Sequence, residues 1–192
     1  MLSYQHRYHA GNFADVHKHL ILTIVLKSLT RKPSPLAIVD THAGEGLYDF
    51  MSEEAARIQE FKEGVEKLFQ APAPPEIVQI YLDLVRVENP GGELRHYPGS
   101  PRLAEQLTRP GDEIILAELH PQALSALRKT FRRSDRVHIH KRDGFEALTA
   151  LVPPKQKRGI VLIDPAYEEK SDYERSVQAI ERALPFEHRA MD

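Results

Sequence analysis

Four short apolar runs punctuate the chain, at residues 36–39, 113–117, 137–140 and 159–163, each bounded by proline, glycine or charged positions. Near-continuous apolar character over so few residues predicts strands buried on both faces of a parallel sheet. Between the runs the apolar spacing changes to three and four, the period of amphipathic helices. A first helix is predicted from Asn12, with Asp15 placed to favour its amino terminus and Val16, Leu20, Ile24 and Leu29 facing inward. Pro33 and Pro35 stop it before the first strand. After the second run, Pro121 suits a first helical turn, and Leu124, Leu127 and Phe131 form one stripe. Strand and helix therefore alternate, and the fold class is α/β, a doubly wound sheet.

Two extra helical patterns, at 52–69 and 75–88, lie between the first and second strands, separated by Pro72, Pro74 and Pro75. A crossover between parallel strands needs one helix, so residues from about 51 to 90 are expected to form a helical insertion on a single domain spanning 1–192. The hydrophobic fraction of 41% is enough for a core. With no cysteine, disulfides and thiolate metal sites are excluded, and a reducing cytoplasm fits best. The apolar stretch 20–26 is too short to cross a bilayer, and the first residues lack a signal-peptide pattern. A net charge of -2 argues against a protein that coats nucleic acid by charge alone, so any such recognition must come from a local patch.

Chemistry-bearing residues gather at the ends of the predicted strands. The first ends in Asp40-Thr41-His42-Ala43-Gly44-Glu45-Gly46, a small-residue turn at the sheet edge where open α/β folds bind ligands. It is not the dinucleotide glycine fingerprint, which disfavours a nicotinamide enzyme; a tight turn without a ligand is the other reading. Glu118, after the second strand, is placed to accept two hydrogen bonds from a ribose diol, or to cap the next helix. Asp143-Gly144-Phe145 follows the third strand, with an acid to bond an adenine ring and an aromatic to pack beside it. The fourth strand leads into Asp164-Pro165-Ala166-Tyr167. An adenine amine is a poor nucleophile because its lone pair is delocalised, and acceptors at Asp164 and the Pro165 carbonyl favour its pyramidal form. Tyr167 offers a face on which an extruded base can stack. A strand-ending turn with a surface tyrosine is the alternative.

The Asp164-Pro165-Ala166-Tyr167 segment resembles the D-P-P-Y signature of N6-adenine methyltransferases. The chain as a whole resembles the RlmJ family, which methylates an adenine of large-subunit (23S) ribosomal RNA. The likeness runs through Met1-Leu2-Ser3-Tyr4, His6, His9-Ala10-Gly11-Asn12, Ala14-Asp15-Val16, Lys18-His19, Asp40 to Gly44, Tyr97 to Pro101, Glu118 to Pro121, Asp143 to Phe145 and Leu162 to Pro165. It implies a Rossmann-like class I methyltransferase sheet with a helical insertion and S-adenosyl-L-methionine as methyl donor. Cofactor contacts are implied at His19, His42, Ser100, Glu118, Asp143 and Gly144, and the catalytic carboxylate at Asp164. Tyr4, His6 and Lys18 would lie across the site and hold the target nucleotide, with Pro165 and Tyr167. Ribosomal RNA, free of ribosomal protein, is the implied partner, without a membrane or a metal. A DNA adenine methyltransferase and an inactive cofactor- or RNA-binding fragment are the alternatives.

Two departures from the family pattern stand out. Ala166 replaces its second proline, which loosens the turn while leaving Asp164, the Pro165 carbonyl and Tyr167 in place. The family also continues past the point where this chain stops, so the sheet is expected to be truncated after its fourth strand, exposing an edge and apolar helix faces. His6, His9, His17 and His19 are close in sequence, but no helical i, i+4 pair exists among them, which argues against a metal site. Arg128, Lys129, Arg132, Arg133, Arg136, Lys141 and Arg142, followed by Lys155, Lys157 and Arg158, form either a solvated face or a phosphate-contacting surface.

Overall fold

The structure is a computed structural model that describes residues 6–183; Tyr4 and the tail beyond Ala183 lie outside the described residues. After a 3₁₀ turn at His6–Tyr8 comes α1 (Phe13–Leu29), then β1 (Ala37–Asp40) and β2 (Leu47–Asp49). The insertion holds α2 (Glu53–Ile58), a 3₁₀ turn (Glu60–Glu63), α3 (Val65–Phe69) and α4 (Glu76–Val87). The chain continues through β3 (His96–Pro98), α5 (Ser100–Leu107), β4 (Glu113–Ala117), α6 (Pro121–Thr130), β5 (Val137–His140), α7 (Gly144–Leu151), β6 (Gly159–Leu162) and α8 (Ser171–Ala183).

Four strands form a parallel sheet in the order β5-β4-β1-β6, with Ala37 opposite both Glu113 and Gly159. The chain moves from β1 to β4 and β5 on one side, then returns across the sheet to β6 on the other. The reversal of direction falls between β1 and β6, which is where open α/β sheets form their ligand crevice. Only the central β1 is buried along its whole length; β5 and β6, at the edges, alternate between partial burial and exposure. The expectation of strands covered on both faces therefore holds for the centre and fails at the flanks. Val161 on β6 and Tyr173, Val177 and Ile180 on α8 are exposed.

The first helix begins where predicted: Asn12 Oδ1 accepts the Asp15 N–H at 3.0 Å. Its inward face is rotated from the predicted one. Ile24 is exposed and Leu20 and Leu29 are half-buried, whereas Asp15, Val16, His19, Leu22, Thr23 and Leu26 are buried. The inward stripe includes polar groups, Asp15, His19 and Thr23, that are satisfied by buried hydrogen bonds, and an apolar-periodicity rule cannot see such a stripe. Leu22 and Leu26 join the core beside Leu103 of α5 and Leu82 and Val85 of α4, and α1 packs on both helices.

The pattern at 52–69 is not one helix. Gln59 adopts a left-handed conformation (φ 57°) and Gly64 an irregular one, dividing it into three short pieces. The crossover to β4 is α5, which the sequence pattern did not single out, and β2 and β3 pair as a two-stranded antiparallel ribbon that brackets the insertion. The ribbon returns the chain to the sheet, so that the insertion is framed at both ends. Gly64 presses directly on the amino-terminal segment: a Cβ there would lie 2.1 Å from the Gly11 carbonyl oxygen, which accepts the Val65 N–H at 2.9 Å. Gly64→Ala is expected to destabilise the fold by about 1–3 kcal/mol through forced backbone displacement, read as a lower urea midpoint with an unchanged slope.

Candidate active site

A cavity of about 290 Å³ opens at the carboxyl ends of the parallel strands. It is lined by residues from α1, the β1–β2 turn, the ends of β4, β5 and β6, and the start of α8. The sheet thus brings together His6, Lys18, His19, His42, Ser100, Glu118, Asp143, Gly144, Asp164 and Pro165, all singled out from the sequence.

Lys18 joins the amino-terminal helix to the β6 loop. Its ammonium donates to Asp15 Oδ1 at 2.8 Å and to Asp164 Oδ2 at 2.5 Å. Asp15 is 2% exposed and also accepts the Gly11 N–H (3.0 Å) and faces His6 Nε2 (2.8 Å). Burial drives the Asp15 carboxyl upward, but His6 and Lys18 overcome it and hold the group well below the usual carboxylate range. Burial likewise pulls Lys18 down, and the two carboxylates reverse that, leaving it raised. The segment ahead of α1 is tied down too, since Arg7 donates to Glu45 (2.7 Å) and Glu54 (2.9 Å).

Glu118 is held rigidly by backbone donors. Gly44 N–H reaches Oε2 at 2.8 Å and His120 N–H reaches Oε1 at 2.7 Å. Burial raises its carboxyl, and these bonds offset part of the rise. Gly44 sits at φ 62°, where the Tyr48 hydroxyl would lie 2.2 Å from a Cβ. Asp143 caps α7, with Oδ1 accepting the Phe145 and Glu146 N–H groups, while Oδ2 accepts from Arg175 at 3.2 Å. Asp143 therefore caps α7 and also lines the cavity. Gly144 packs so closely that a Cβ would lie 2.3 Å from the Thr41 carbonyl oxygen and 2.5 Å from the His42 ring. His42 and Phe145 meet in a T-shaped contact, ring centres 5.2 Å apart, and the Arg175 guanidinium lies over the same Phe145 ring at 4.1 Å.

Several contributors were not assigned from the sequence. Asp40, at the end of β1, is 2% exposed, accepts the Ser100 hydroxyl at 2.7 Å and the His42 N–H at 3.2 Å, and is pushed up by burial to about 6. Ser100 is thus committed to Asp40. Thr41, Tyr48, Arg7 and Arg175 also line the cavity. An acid at a strand end was the available signal for Asp40; Arg175 gave none, because α8 folds back from far along the chain.

Other residues singled out from the sequence are placed differently. Tyr167 does not line the cavity: it takes a left-handed conformation (φ 53°) and packs on Tyr173, ring centres 4.6 Å apart. The neighbouring Ala166 removes the proline that would restrict this turn. The basic run divides. Arg136 is spent on Thr108 and the carbonyls of Glu105 and Arg109, and Arg158 on Ser34 and the Leu29 carbonyl. Arg128, Lys129, Arg132 and Arg133 remain as an exposed surface on and just after α6. The four clustered histidines also part company: His6 pairs with Asp15, His9 with Glu60 (3.0 Å), His17 is exposed beside Phe13, and His19 is buried against Tyr97. Among the described residues no helix is long and apolar enough to cross a membrane.

This sheet order, with its crevice beside β1 and acids at successive strand ends, defines a Rossmann-like methyltransferase fold. A family profile described as "RsmJ: Ribosomal RNA large subunit methyltransferase D, RlmJ" matches residues 33–191, and the chain belongs to that family. It is 44% identical over 180 residues to Ribosomal RNA large subunit methyltransferase J of Escherichia coli, and 43% identical over 182 residues to the Haemophilus influenzae protein of the same name. Each alignment covers 94% of this chain, which spans 64% of the length of the first relative and 65% of the second. The crystal structure of a Legionella pneumophila protein superposes with a TM-score of 0.84 at 38% identity, covering 91% of this chain and 64% of that one.

Asp40 sets a pH signature. With its carboxyl at 3.8 unfolded and about 6 folded, the acid loses its proton first in the unfolded chain, so its contribution to stability is full below pH 4 and is lost as pH rises through 6. Urea titrations of wild type and Asp40→Asn should show wild type losing ground to the variant, by on the order of 2 kcal/mol, between pH 4 and pH 7.

Proposed function

We propose that the chain carries the methyl-transfer site of a ribosomal RNA adenine-N6 methyltransferase that uses S-adenosyl-L-methionine. One observation carries the reading: Lys18, Glu118, Asp143 and Asp164, from four separate elements, face one cavity at the switch point of a methyltransferase sheet. Family membership and the names of the relatives support ribosomal RNA as the substrate. That substrate would put the protein in the cytoplasm.

The residues present fit such a methyl donor. A cavity of about 290 Å³ is close to the ~300 Å³ lower bound of small-molecule sites. Each Glu118 oxygen accepts one backbone bond and retains capacity for one ribose hydroxyl, so a diol can be gripped without reorganisation. His42, Ser100, Asp143 and Gly144 complete the walls, with Phe145 supplying an aromatic edge. When bound, the donor supplies an electrophilic methyl group on a sulfonium.

The chain's own residues prepare the amine. Asp164 has one oxygen pinned by Lys18, which leaves the other to accept an N–H of the target adenine. The Pro165 carbonyl is the second acceptor. Two acceptors on one amino group draw its hydrogens out of the ring plane and localise the lone pair toward the methyl carbon. A sulfonium donor held there would supply the methyl group, forming the N–C bond as its S–C bond broke, with the surplus amine proton passing to water. His6, paired with Asp15, and Lys18 sit at the cavity, where they would meet the target nucleotide. Tyr167 can stack a base only after leaving Tyr173, so it serves the substrate by turn rearrangement. Since the base must leave its stack, single-stranded or protein-free RNA is the better substrate.

Asp164→Ala is expected to lower methyl transfer at least ~10²-fold, as for loss of a group acting on the transition state, while S-adenosylhomocysteine affinity by calorimetry stays within a factor of about two. Near-normal turnover would remove Asp164 from the chemistry. Glu118→Ala should instead weaken S-adenosylhomocysteine binding by about tenfold or more, for loss of charge-assisted bonds. Methyl incorporation into large-subunit ribosomal RNA from a strain lacking the enzyme, beside DNA oligonucleotides and a longer relative, separates RNA from DNA specificity; a folded chain with no heat of binding would instead be a fragment without activity.

A further inference from the structure

His19 is a buried histidine on the inward face of α1, 1% exposed, and it lines the cavity. Its Nδ1 lies 2.7 Å from the Tyr97 hydroxyl oxygen, which in turn accepts the Tyr81 hydroxyl at 3.0 Å. Both tyrosines are fully buried, Tyr81 on α4 and Tyr97 on β3.

Proton accounting fixes the direction of this chain of bonds. A tyrosine hydroxyl donates one proton. Tyr97 is the only hydrogen-bond partner of Tyr81 among the described residues, so the Tyr81 proton points at Tyr97. Were Tyr97 to point back at Tyr81, one of the two protons would be buried without an acceptor. The Tyr97 proton therefore points at His19 Nδ1. A doubly protonated imidazole fails the same test, because Nδ1–H and Tyr81 would both aim at the Tyr97 oxygen and strand its proton. An Nδ1 that accepts leaves the single proton of a neutral ring on Nε2. Burial and nearby Lys18 act the same way, pulling the imidazole down to about 3. Nε2 finds no hydrogen-bond partner among the described residues, and it is not among their sealed, unpartnered polar atoms, which are Gln106 Oε1 and Gln156 Oε1. That edge of the ring therefore opens into the cavity.

We propose that Tyr97 is a positioning residue that fixes His19 as a neutral Nε2–H donor aimed into the methyl-donor cavity, where its partner is an acceptor on the bound donor, the carboxylate being the strongest available. The proposal rests on the reading of that cavity as the methyl-donor site. Tyr81 of α4 occupies the far side of the Tyr97 oxygen as a donor. A neutral donor suits this place. A cationic His19 would stand beside the Lys18 ammonium, and like charges would oppose binding of a cationic donor.

Long-range ¹H–¹⁵N spectra of the 192-residue chain, with the His19 signal assigned through His19→Asn, test the tautomer directly. The expected pattern is Nε2–H with a hydrogen-bonded, unprotonated Nδ1 that does not titrate between pH 5 and pH 8. In Tyr97→Phe the Nδ1 resonance should move downfield, toward that of an unbonded pyridine-type nitrogen, and S-adenosylhomocysteine should bind about tenfold more weakly. Tyr81→Phe disturbs the same buried cluster but leaves the Tyr97 proton on Nδ1, so the Nε2–H pattern should persist with affinity within about twofold. An Nδ1–H tautomer in the wild type overturns the proposal, and so does a Tyr97→Phe variant with unchanged Nδ1 resonance and affinity. If Tyr97→Phe does not fold, the wild-type spectrum and Tyr81→Phe still decide. A wild-type chain that shows the Nε2–H pattern yet binds no S-adenosylhomocysteine would refute the methyl-donor reading of the cavity and leave the tautomer assignment standing.

Discussion

Lys18 is held between two carboxylates that belong to distant parts of the chain, Asp15 on its own helix and Asp164 beyond the last strand. Asp15 is nearly sealed from water, and a buried carboxylate without a counter-charge costs several kcal/mol, about 3–5 when a partner is removed from a buried pair. The ammonium therefore cannot leave Asp15 cheaply, and Asp164 is fixed by an anchor that the helix itself needs. The same ion pairing that stabilises the start of α1 sets the position of the proposed catalytic carboxylate.

Around this anchor the site is assembled from groups already fixed by the fold. Glu118 is oriented by two backbone amides, Ser100 is oriented by Asp40, and Asp143 is oriented by the first turn of α7. Each group spends part of its bonding capacity on the scaffold, which lowers the reorganisation needed when a ligand arrives. A carboxylate that caps a helix with one oxygen still presents acceptor sites to a cavity. Tyr167 is the exception. Its turn is not locked by a second proline, and its ring is occupied by Tyr173.

The insertion belongs to this scheme as well. Its two ends are clamped by the β2–β3 ribbon, its Gly64 turn presses on Gly11, and its Glu54 and Glu60 bind Arg7 and His9. It therefore braces the amino-terminal segment that reaches toward the cavity mouth. Through Tyr81 it also meets the buried tyrosine beside His19.

Local chemistry wrote much of this into the chain. Apolar runs gave the four parallel strands to within a residue at each end, Asn12 and Pro121 gave helix starts, and acids after successive strands marked the crevice, because burial and capping depend on residues near one another in sequence. The D-P-P-Y-like segment and its companions gave the family. Tertiary structure alone decided the rest. The inward face of α1 carries Asp15, whose counter-ion Lys18 also reaches Asp164, and His19, which meets Tyr97. The division of 52–69 follows from Gly64 meeting Gly11, the burial of Asp40 from Ser100 closing over it, and the arrival of Arg175 from the return of α8. In each case the deciding contact joins residues far apart along the chain, and no periodicity or local propensity records a pairing of that kind.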